Sequence, residues 1–452
     1  MHARQFTEAD DIELAMQALL DQRDFPGIVA LLTTISPERL IALLERLPLQ
    51  RRAIVYRLLP KERALDVFER LSPSLQSDLV QGLQDADVAA IFASLDPDDR
   101  VWLLDELPAG LAPRLLHGLS DKERQLTAGV LGYPKGSVGR RMSPEYVSTR
   151  ADATVAAALE RVHARLDDAE TVYTLPVLDD RRHVLGVVSL RGLLGAAPED
   201  SVATVMRRTE VVAADETAEA AARRCTELRV LALPVVDSES RLVGILTIDD
   251  AVRILEQEDA EDTARQGGVE PLRRPYFATP IRRLVTSRIV WLLVLAVGAT
   301  LTVQVLAVFE ATLEQMTVLA LFVPLLIGTG GNTGNQAATT ITRALALGEV
   351  RPRDLWRVLG RELIVGLALG ALLGVIGGAV TAVAFSPQVG IVIGLTLVMI
   401  CAMAATIGGM MPLVARALRV DPAVFSNPFI TTFVDATGLI VYFLIANAVL
   451  RL

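Results

Sequence analysis

The sequence predicts a multidomain membrane protein: an all-α superhelical N-terminal domain, a tandem α/β pair, a connecting helix and an all-α membrane domain of five transmembrane helices. Three observations predict this fold class. An isoleucine or leucine recurs every twelve residues from 35 to 119, a segment of about 60 residues is repeated between 138 and 255, and five long apolar stretches follow. Almost all of the charge precedes these stretches, which separates a polar part from a membrane part.

The composition narrows the classes of function. The 452 residues carry a net charge of −9, which argues against a nucleic-acid surface and is compatible with cation binding. Mean hydropathy is +0.41 although 21% of the residues are charged. The N-terminus is acidic and amphipathic and does not read as a signal peptide, and Cys225 and Cys401 offer neither a disulfide framework nor a zinc spacing. We therefore expect the polar part to stay in a reducing cytoplasm.

The twelve-residue repeat predicts short stacked helices. Most of its hydrophobic positions are closely followed by Pro or Ser, as in "ISPER", "LSPSL" and "LDPDD". Pro is tolerated in the first turn of a helix, and Ser or Asp ahead of it caps the free amides. Each repeat is then one helix, and successive helices stack into an α-superhelix, with a plain helical bundle as the alternative.

The second repeat joins two copies of one α/β unit. "LPVLDDRRHVLGVVSL" is echoed by "LPVVDSESRLVGILTI", and Met142 and Met206 mark equivalent points. Each copy is expected to contain a strand, an alanine-rich helix, two β-branched strands around a turn with Gly186 or Gly244, and a helix. The pattern resembles a tandem pair of CBS domains. Such pairs often bind adenine nucleotides, and we retain an adenine nucleotide as an expected ligand. Arg191 and Gly192, however, stand where an acidic residue that binds the ribose is expected.

An acidic run follows the pair, on a predicted helix that leads to the membrane domain. It contains Glu256, Glu258, Asp259, Glu261 and Asp262. A charge run is commonly a solvated helix face. The other interpretation is a divalent-cation site, because clustered carboxylates repel one another and a hard dication relieves that repulsion. The residues alone leave both interpretations open.

Five apolar segments are each long enough to cross a hydrocarbon core of about 30 Å. They cover about 288–308, 317–341, 362–385, 389–414 and 428–450. Arginines precede the first segment and occupy the second and fourth connections, whereas the first and third connections have none. By the positive-inside rule, we expect the N-terminus in the cytoplasm and the C-terminus outside.

Polar side chains interrupt two of these segments. Asp435 is the single ionisable side chain that we assign to the spans, and a carboxylate in hydrocarbon is costly, which points to function rather than to a structural hydrogen bond. Two sets of residues recur every four positions, which places each set on one helix face: Asn427, Thr431 and Asp435 in one segment, and Gly331, Asn335 and Thr339 in the other. Two such stripes can face each other across a wet path. For the glycines alone, close helix packing is the alternative.

The chain as a whole resembles the MgtE family of magnesium channels. The match rests on "PLLIGTGGNTGNQAATTITRAL" (324–345), on "NPFITTFVDATGLIVYF" (427–443) and on the order of the parts, and it covers essentially the whole chain. We place the domains accordingly: 1–133 for the N-terminal superhelical domain, 134–255 for the CBS pair (about 138–200 and 201–255), 256–285 for the acidic connecting or plug helix, and 286–452 for the five-helix pore domain.

The resemblance implies a homodimeric channel in the lipid bilayer of the bacterial inner membrane, not an enzyme. Its one pore on the two-fold axis would import Mg²⁺, held hydrated near a pore acid, and Mg²⁺ bound to the cytoplasmic domains would close it. Carried over to this sequence, the pore residues are Asp435, Asn335, Thr339, Asn427, Thr431 and Gly331. The cytoplasmic sensor residues are Asp98, Asp99, Asp250, Glu258, Glu261 and Asp262.

The sequence departs from the family pattern in its cytoplasmic part. "GYPKGSVGRRMSPEYV" lacks the acid-rich run that we expect before Met142, and Arg229 and Arg253 stand where relatives can carry acids. We therefore expect a sensor that binds fewer ions or responds at a different Mg²⁺ concentration. These departures concern the sensor residues more than the pore residues.

Two other functions compete with a channel. A secondary carrier that exchanges Mg²⁺ for H⁺ or Na⁺ usually needs relays of several buried acids or histidines, and we assign only Asp435 to the spans. A membrane-anchored regulator whose CBS pair senses a nucleotide would leave Asp435 unexplained. An intramembrane hydrolase would need a second acid, a histidine cluster or a serine–base pair in the spans, and the sequence offers none.

Overall fold

The structure is a computed structural model that describes residues 2–83, 85–108, 110–272, 274–418 and 427–451. The chain divides into two compact units. The first comprises residues 1–259 and 273–279, and the second comprises residues 260–272 and 280–452. Arg273 and Arg419, two of the arginines that orient the predicted membrane segments, lie outside the described residues.

Helices form the N-terminal part of the first unit, and those within the repeat are short, as the twelve-residue pattern predicts. They are α1 (His2–Gln22), α2 (Phe25–Thr34), α3 (Pro37–Arg46), α4 (Leu49–Arg57), α5 (Lys61–Arg70), α6 (Pro73–Gly82), α7 (Asp85–Ser94), α8 (Pro97–Glu106), α9 (Ala112–His117) and α10 (Asp121–Leu131). Ile35, Leu47 and Leu71 directly follow α2, α3 and α5, and all three are buried. The repeat therefore sets helix length, because its hydrophobic residue ends each helix inside the core.

Two copies of one α/β unit follow. The first contains a 3₁₀ turn (Val138–Arg140), β1 (Thr149–Arg150), α11 (Val155–Ala164), β2 (Thr174–Leu178), β3 (Val184–Ser189) and α12 (Leu190–Leu194). The second contains α13 (Val202–Val205), β4 (Val212–Ala213), α14 (Ala218–Leu228), β5 (Ala232–Val236), β6 (Leu242–Thr247) and α15 (Ile248–Gln266). In each sheet the first strand is parallel to the second, and the second is antiparallel to the third. The predicted duplication is confirmed.

The repeated glycines show how the two copies are joined. The sequence predicts each glycine in a turn, but this prediction was wrong, because Gly186 lies within β3 and Gly244 within β6. A Cβ on Gly186 would overlap the carbonyl oxygen of Arg207, and a Cβ on Gly244 would lie 2.6 Å from the Met142 sulfur. The backbone after Met206 therefore packs on the first sheet, and the backbone around Met142 packs on the second. Each copy therefore packs a backbone segment against the sheet of the other copy.

The second unit contains the membrane helices. They are α16 (Ile281–Val308), α18 (Val323–Ala346), α19 (Leu355–Ala384), α20 (Pro387–Ala417) and α21 (Asn427–Leu450). A short helix, α17 (Glu310–Gln315), and 3₁₀ turns at Thr317–Phe322 and Pro352–Asp354 lie between them. Among the described residues, five helical segments are long and apolar enough to cross a membrane: Ile281–Val308, Thr317–Ala346, Pro352–Ala384, Pro387–Ala417 and Asn427–Leu450. The acidic run is not a separate helix, because α15 begins in the second α/β copy and contains it.

Glycines let the membrane helices approach closely. A Cβ on Gly374 of α19 would lie 2.6 Å from the carbonyl oxygen of Gly394 in α20, and a Cβ on Gly408 of α20 would overlap the carbonyl oxygen of Gly334 in α18. The hydroxyl of Tyr442 in α21 donates a 2.9 Å hydrogen bond to a carbonyl in the turn before α18. These contacts hold α18 against both α20 and α21 and so position the polar residues of α18 and α21.

Candidate functional site

Helices α18 and α21 bring four of the predicted pore residues into one polar contact. Asn335 Nδ2 donates a 3.0 Å hydrogen bond to Thr431 Oγ1, and the Thr431 hydroxyl donates a 3.0 Å hydrogen bond to the carbonyl oxygen of Asn427. Gly331 lies one turn before Asn335, where a Cβ would come within 2.9 Å of the Thr431 methyl. The absence of a side chain at Gly331 therefore lets Thr431 approach α18.

Asp435 lies one turn beyond Thr431 on α21 and is half-buried. Its Oδ1 is buried and has no hydrogen-bond partner among the described residues, and the same is true of Asn335 Oδ1. A buried acceptor without a partner is costly, so such atoms are uncommon in native structures and often mark function. The arrangement presents two acceptor oxygens that can receive hydrogen bonds from a hydrated cation.

Thr339 lies on an open face of α18. It lines a groove of about 400 Å³ together with Asn332, Asn335, Gln336 and Thr340. Three of these residues were not among the predicted pore residues, although Asn332, Gln336 and Thr340 also recur every four positions and the same spacing argument could have found them. Asn335 belongs both to this groove and to the contact with α21.

Gly330 and Gly334 of α18 serve close helix packing, the alternative interpretation of that pattern. A Cβ on Gly330 would lie 2.7 Å from Ile400 of α20, and one on Gly334 would lie 3.0 Å from Ile430 of α21. Both glycines are buried. The glycines therefore bring neighbouring helices close, whereas the amides and hydroxyls supply the polar faces.

The assignment of Asp435 as the single ionisable residue of the spans was wrong, because the candidate spans contain other charged residues, among them Glu362. Glu362 lies on α19 within the third candidate span, Pro352–Ala384. A Cβ on Gly409 of α20 would lie 2.7 Å from Glu362 Cγ, which places the aliphatic part of Glu362 against that helix. Glu362 is the first residue of the predicted apolar segment 362–385, and it was not counted among the ionisable residues of the spans.

In the first unit, three of the predicted sensor acids lie close together. Arg253 Nη2 contacts Asp99 Oδ1 at 2.9 Å and Asp250 Oδ1 at 2.6 Å. The hydroxyl of Thr247 donates a 2.9 Å hydrogen bond to Asp250 Oδ2. Asp98, beside Asp99 on α8, is only 2% exposed, and its Oδ1 has no hydrogen-bond partner among the described residues. The N-terminal helices and the second α/β copy thus both contribute carboxylates to one cluster.

The electrostatics of this cluster favour a bound cation. Burial, and then the charges of Asp250 and Asp99, raise the pKa of Asp98 well above its ordinary value. Burial raises the pKa of Asp250 to about 6, although Arg253 opposes the shift. Burial and nearby carboxylates also raise the pKa of Glu170 to about 8. Burial is the largest cause of all three shifts, and repulsion between the carboxylates adds to it. A cation near them would stabilise their ionised forms. Glu170 was not among the predicted sensor residues.

The remaining predicted sensor acids lie farther along α15. Glu261 accepts a 3.1 Å hydrogen bond from Arg265, one turn later on the same helix. Glu258 and Asp262 follow Asp250 by eight and twelve residues. Within the described part of the chain, no group of three or more His, Cys, Asp or Glu residues is arranged to hold a metal ion.

Family models match the N-terminal helices, the α/β pair and most of the membrane helices of this chain. The MgtE model, described as a divalent cation transporter, matches residues 323–445. The model of the MgtE intracellular N domain matches residues 35–136, and the CBS domain model matches residues 136–199 and 202–257. Since the MgtE model includes α18 and most of α21, the polar contact described above lies in the transporter part.

Whole-length relatives are magnesium transporters. The chain is 36% identical to the magnesium transporter MgtE of Thermus thermophilus over 449 residues, 98% of this chain and 99% of the relative. It is 27% identical to the magnesium transporter MgtE of Bacillus subtilis over 432 residues, 94% of each chain. The crystal structure of the cytosolic domain of the Mg²⁺ channel MgtE in complex with ATP is similar, with a TM-score of 0.50 and 32% identity over 54% of this chain and 99% of that one. The chain therefore belongs to the MgtE family of magnesium transporters, which are membrane proteins with an intracellular N domain and not enzymes.

Proposed function

We propose that this protein is a Mg²⁺-selective channel that imports Mg²⁺ across the bacterial inner membrane and closes when Mg²⁺ binds its cytoplasmic domains. The observation that supports the pore most directly is the unpaired carboxylate oxygen of Asp435, one turn from the Thr431–Asn335 hydrogen bond. In this proposal the N-terminus is cytoplasmic and the C-terminus lies outside the cell.

The chemistry of Mg²⁺ fits such a pore. Mg²⁺ dehydrates reluctantly and retains much of its octahedral water shell in protein sites. A pore for the hydrated ion therefore needs hydrogen-bond acceptors around the shell and negative charge nearby, rather than a tight cage of ligands. Asp435 supplies the charge, and Asn335, Thr339 and the residues around Thr431 supply acceptors.

Reconstituted vesicles test the proposal directly. The pure protein in liposomes should conduct Mg²⁺ down its gradient, and raising Mg²⁺ on the cytoplasmic side should reduce the flux. A secondary carrier would show flux that depends on an H⁺ or Na⁺ gradient at carrier turnover rates, whereas a channel should give electrical currents beyond those rates. Absence of Mg²⁺ flux in both assays would refute the proposal.

We propose a symmetric homodimer with the pore at its two-fold axis. The groove along Asn332, Gln336 and Thr340 is open in one chain, and polar groups in a membrane must face protein or water. One carboxylate cannot balance a dication, and two-fold symmetry would supply a second Asp435.

The dimer is the first testable prediction. The purified protein in detergent is expected to have the mass of two chains, because the polar face of α18 would otherwise meet lipid. Light scattering or native mass spectrometry measures the mass. A population of monomers only, with full Mg²⁺ flux after reconstitution, would contradict the prediction.

The sensor proposal assigns two groups of acids to closure. Asp98, Asp99 and Asp250 form the cluster between the N-terminal helices and the second CBS copy. Glu258, Glu261 and Asp262 lie along α15 and form the second group. A ligand that binds only the closed state shifts the gate by its differential affinity, so each acid that binds Mg²⁺ there favours closure.

Replacing Glu258, Glu261 and Asp262 together by Ala is expected to leave conduction intact and to raise the Mg²⁺ concentration needed for closure. The reason is that each carboxylate attracts the dication and repels its neighbours in the absence of the ion. Flux at varied cytoplasmic Mg²⁺ measures the shift. As a charge-matched control, the variant with Asp167, Glu199 and Glu227 replaced by Ala should close at the wild-type concentration. An unchanged closing concentration in the test variant would make the acidic run a solvated helix face.

An adenine nucleotide is the second ligand that we propose for the CBS pair. The support is a similar cytosolic domain that was crystallised in complex with ATP. Titration of the full-length protein with ATP, followed by calorimetry at fixed Mg²⁺, would test binding. No heat of binding up to millimolar ATP would remove the nucleotide from the proposal.

A further inference from the structure

Arg253 places a positive charge between carboxylates of α8 and α15. A single nitrogen, Nη2, contacts Asp99 of α8 and Asp250 of α15 at 2.9 and 2.6 Å. Asp99 belongs to the N-terminal helices, whereas Asp250 and Arg253 belong to the second CBS copy. Charge-assisted contacts of this length are among the stronger hydrogen bonds in proteins. The guanidinium therefore links the two parts of the cytoplasmic region.

The indole of Trp102 holds Arg253 in place. The guanidinium carbon of Arg253 lies 4.2 Å from the centroid of the Trp102 ring, and that of Arg141 lies 3.8 Å from the same centroid. Trp102 is buried on α8, one turn from Asp99. A planar guanidinium can stack on an aromatic ring while its N–H groups bind carboxylates, which neither Lys nor a hydrated ion can do.

The carboxylates around Arg253 indicate that its guanidinium neutralises their repulsion. Asp98 and Asp99 on α8 face Asp250 on α15, with Asp249 and Glu170 also close enough to act electrostatically. The charge of Arg253 acts on Asp98, Asp99 and Asp250. Arg141, on the same indole, interacts instead with Asp105 and repels Arg253. Without Arg253, carboxylates of α8 and α15 would meet across the contact and repel until a cation arrived. With it, part of that repulsion is already neutralised.

We propose that Arg253 is a tethered counter-ion that holds α8 against α15 at low Mg²⁺, in place of one dication that the carboxylates alone would need. The N-terminal helices of this protein then remain docked on the second CBS copy without Mg²⁺. Added Mg²⁺ then acts on the carboxylate charge that Arg253 does not neutralise, and on the acidic residues of α15. The inference rests on the proposed sensor only for the effect of added Mg²⁺, since docking in the absence of the ion concerns Arg253 alone.

Hydrogen exchange of the full-length protein in detergent tests the inference. The amides of α8 are measured in EDTA and in millimolar MgCl₂, with the amides of β5 and β6 as a report on global folding. Wild-type α8 is expected to be protected in EDTA. Arg253→Met, which retains an unbranched stem but removes the charge, is expected to exchange at least about tenfold faster in α8, because it leaves buried carboxylates uncompensated. MgCl₂ should restore protection, and KCl at equal ionic strength should not.

Three further variants separate charge from packing. Arg253→Lys retains the charge and should retain part of the protection in EDTA. The double variant Arg253→Met with Asp99→Asn removes the cation and one carboxylate together and should be better protected than Arg253→Met alone. Arg229→Met is the matched control, because Arg229 is an exposed arginine of the same CBS copy, and it should behave as wild type.

The outcomes distinguish this inference from the proposed sensor. Equal protection of α8 in wild type and Arg253→Met in EDTA would overturn the inference, whatever the flux measurements give. Equal loss in Arg253→Met and Arg253→Lys, with no recovery in the double variant, would make Arg253 a packing residue and also overturn it. A third outcome is that Arg253→Met loses protection of α8 that Arg253→Lys and the double variant retain but that Mg²⁺ does not restore. That result would support the tethered counter-ion and remove this cluster from the sensor. Faster exchange in β5 and β6 would mark a misfolded variant, and the Lys and double variants then decide.

Discussion

Replacing Asp435 by Asn is expected to abolish Mg²⁺ flux while leaving the membrane domain folded. Asn is nearly isosteric with Asp, and it removes one formal charge from each chain. With an effective dielectric constant of about 20, an ion about 5 Å from a carboxylate gains roughly 3 kcal/mol for each pair of unit charges. Loss of that attraction alone lowers occupancy more than about a hundredfold, and a dimer would lose it twice. Flux of Mg²⁺ into proteoliposomes measures the effect.

Folding should be little affected by this substitution. The Oδ1 atom of Asp435 has no hydrogen-bond partner among the described residues, so the neutral side chain breaks no observed contact of that atom. Replacing a half-buried charge by an amide also lowers the cost of desolvation. The thermal stability of Asp435→Asn should therefore equal or exceed that of wild type, which separates a loss of conduction from a loss of structure.

Two further variants define the result. Asp435→Glu should conduct more than Asn and less than wild type, because it retains the charge on a longer arm that narrows the path. Glu310→Gln removes an exposed carboxylate from the connection after α16 and should conduct as wild type. Wild-type flux in Asp435→Asn would refute the assignment of Asp435 to the pore, and the polar faces of α18 and α21 would then be helix packing.

The sequence predicted those parts of the fold that repeat along the chain. The twelve-residue repeat fixes helix length and buried end residues such as Leu47, because a helix of about ten residues and its connection need only local contacts. The CBS pair was recognisable because two copies carry the same residues in the same order. What the repeat could not predict is the exchange of segments at Gly186 and Gly244, since the contacts there join residues of different copies.

For the candidate sites too, the sequence predicted features of a single helix but not contacts between residues far apart in the chain. Spacing of four residues correctly placed Asn335 and Thr431 on facing sides of two helices, because that spacing is a property of one helix. Arg253 could be singled out from the sequence as a departure, but its contact with Asp99 joins residues 154 positions apart and depends on how the first unit packs. Glu170 was missed for the same reason, since the carboxylates that act on it belong to α15 (Asp249 and Asp250) and to the residue before α8 (Asp96).

The crossings of the membrane helices could not be predicted from the sequence either. A glycine-rich segment predicts close packing somewhere, but the partner of each glycine depends on which helices meet and at what height. Gly328 and Gly334 belong to the same motif, yet a Cβ on Gly328 would meet nothing within 4 Å, whereas Gly334 faces Ile430 and Ala404. The sequence pattern does not distinguish the two glycines, whereas their surroundings in the structure differ.

A side chain at Gly408 is expected to disrupt the membrane domain more than any other single methyl in α18 or α20. A Cβ there would overlap the carbonyl oxygen of Gly334 and lie 2.8 Å from its carbonyl carbon. These are backbone atoms, which cannot move aside as a flexible side chain can. Overpacking a well-packed core typically costs about 1–3 kcal/mol, and we expect Gly408→Ala at the upper end and Gly408→Val beyond it. Loss of monodisperse protein in detergent and a lower Tm would measure the effect.

A graded series makes this prediction specific to the helix crossing. Gly334→Ala should destabilise less than Gly408→Ala, because its closest contacts are a side-chain methyl at 3.0 Å and the carbonyl oxygen of Ala404 at 3.3 Å. Gly328→Ala should leave Tm unchanged or raise it slightly, since the new methyl meets nothing and Ala favours the helix. Equal Tm values for Gly408→Ala and Gly328→Ala would mean that α18 and α20 do not cross here. The faces of α18 that Asn335 and Thr339 occupy would then have to be assigned anew, because the Gly334–Gly408 contact fixes the rotation of that helix.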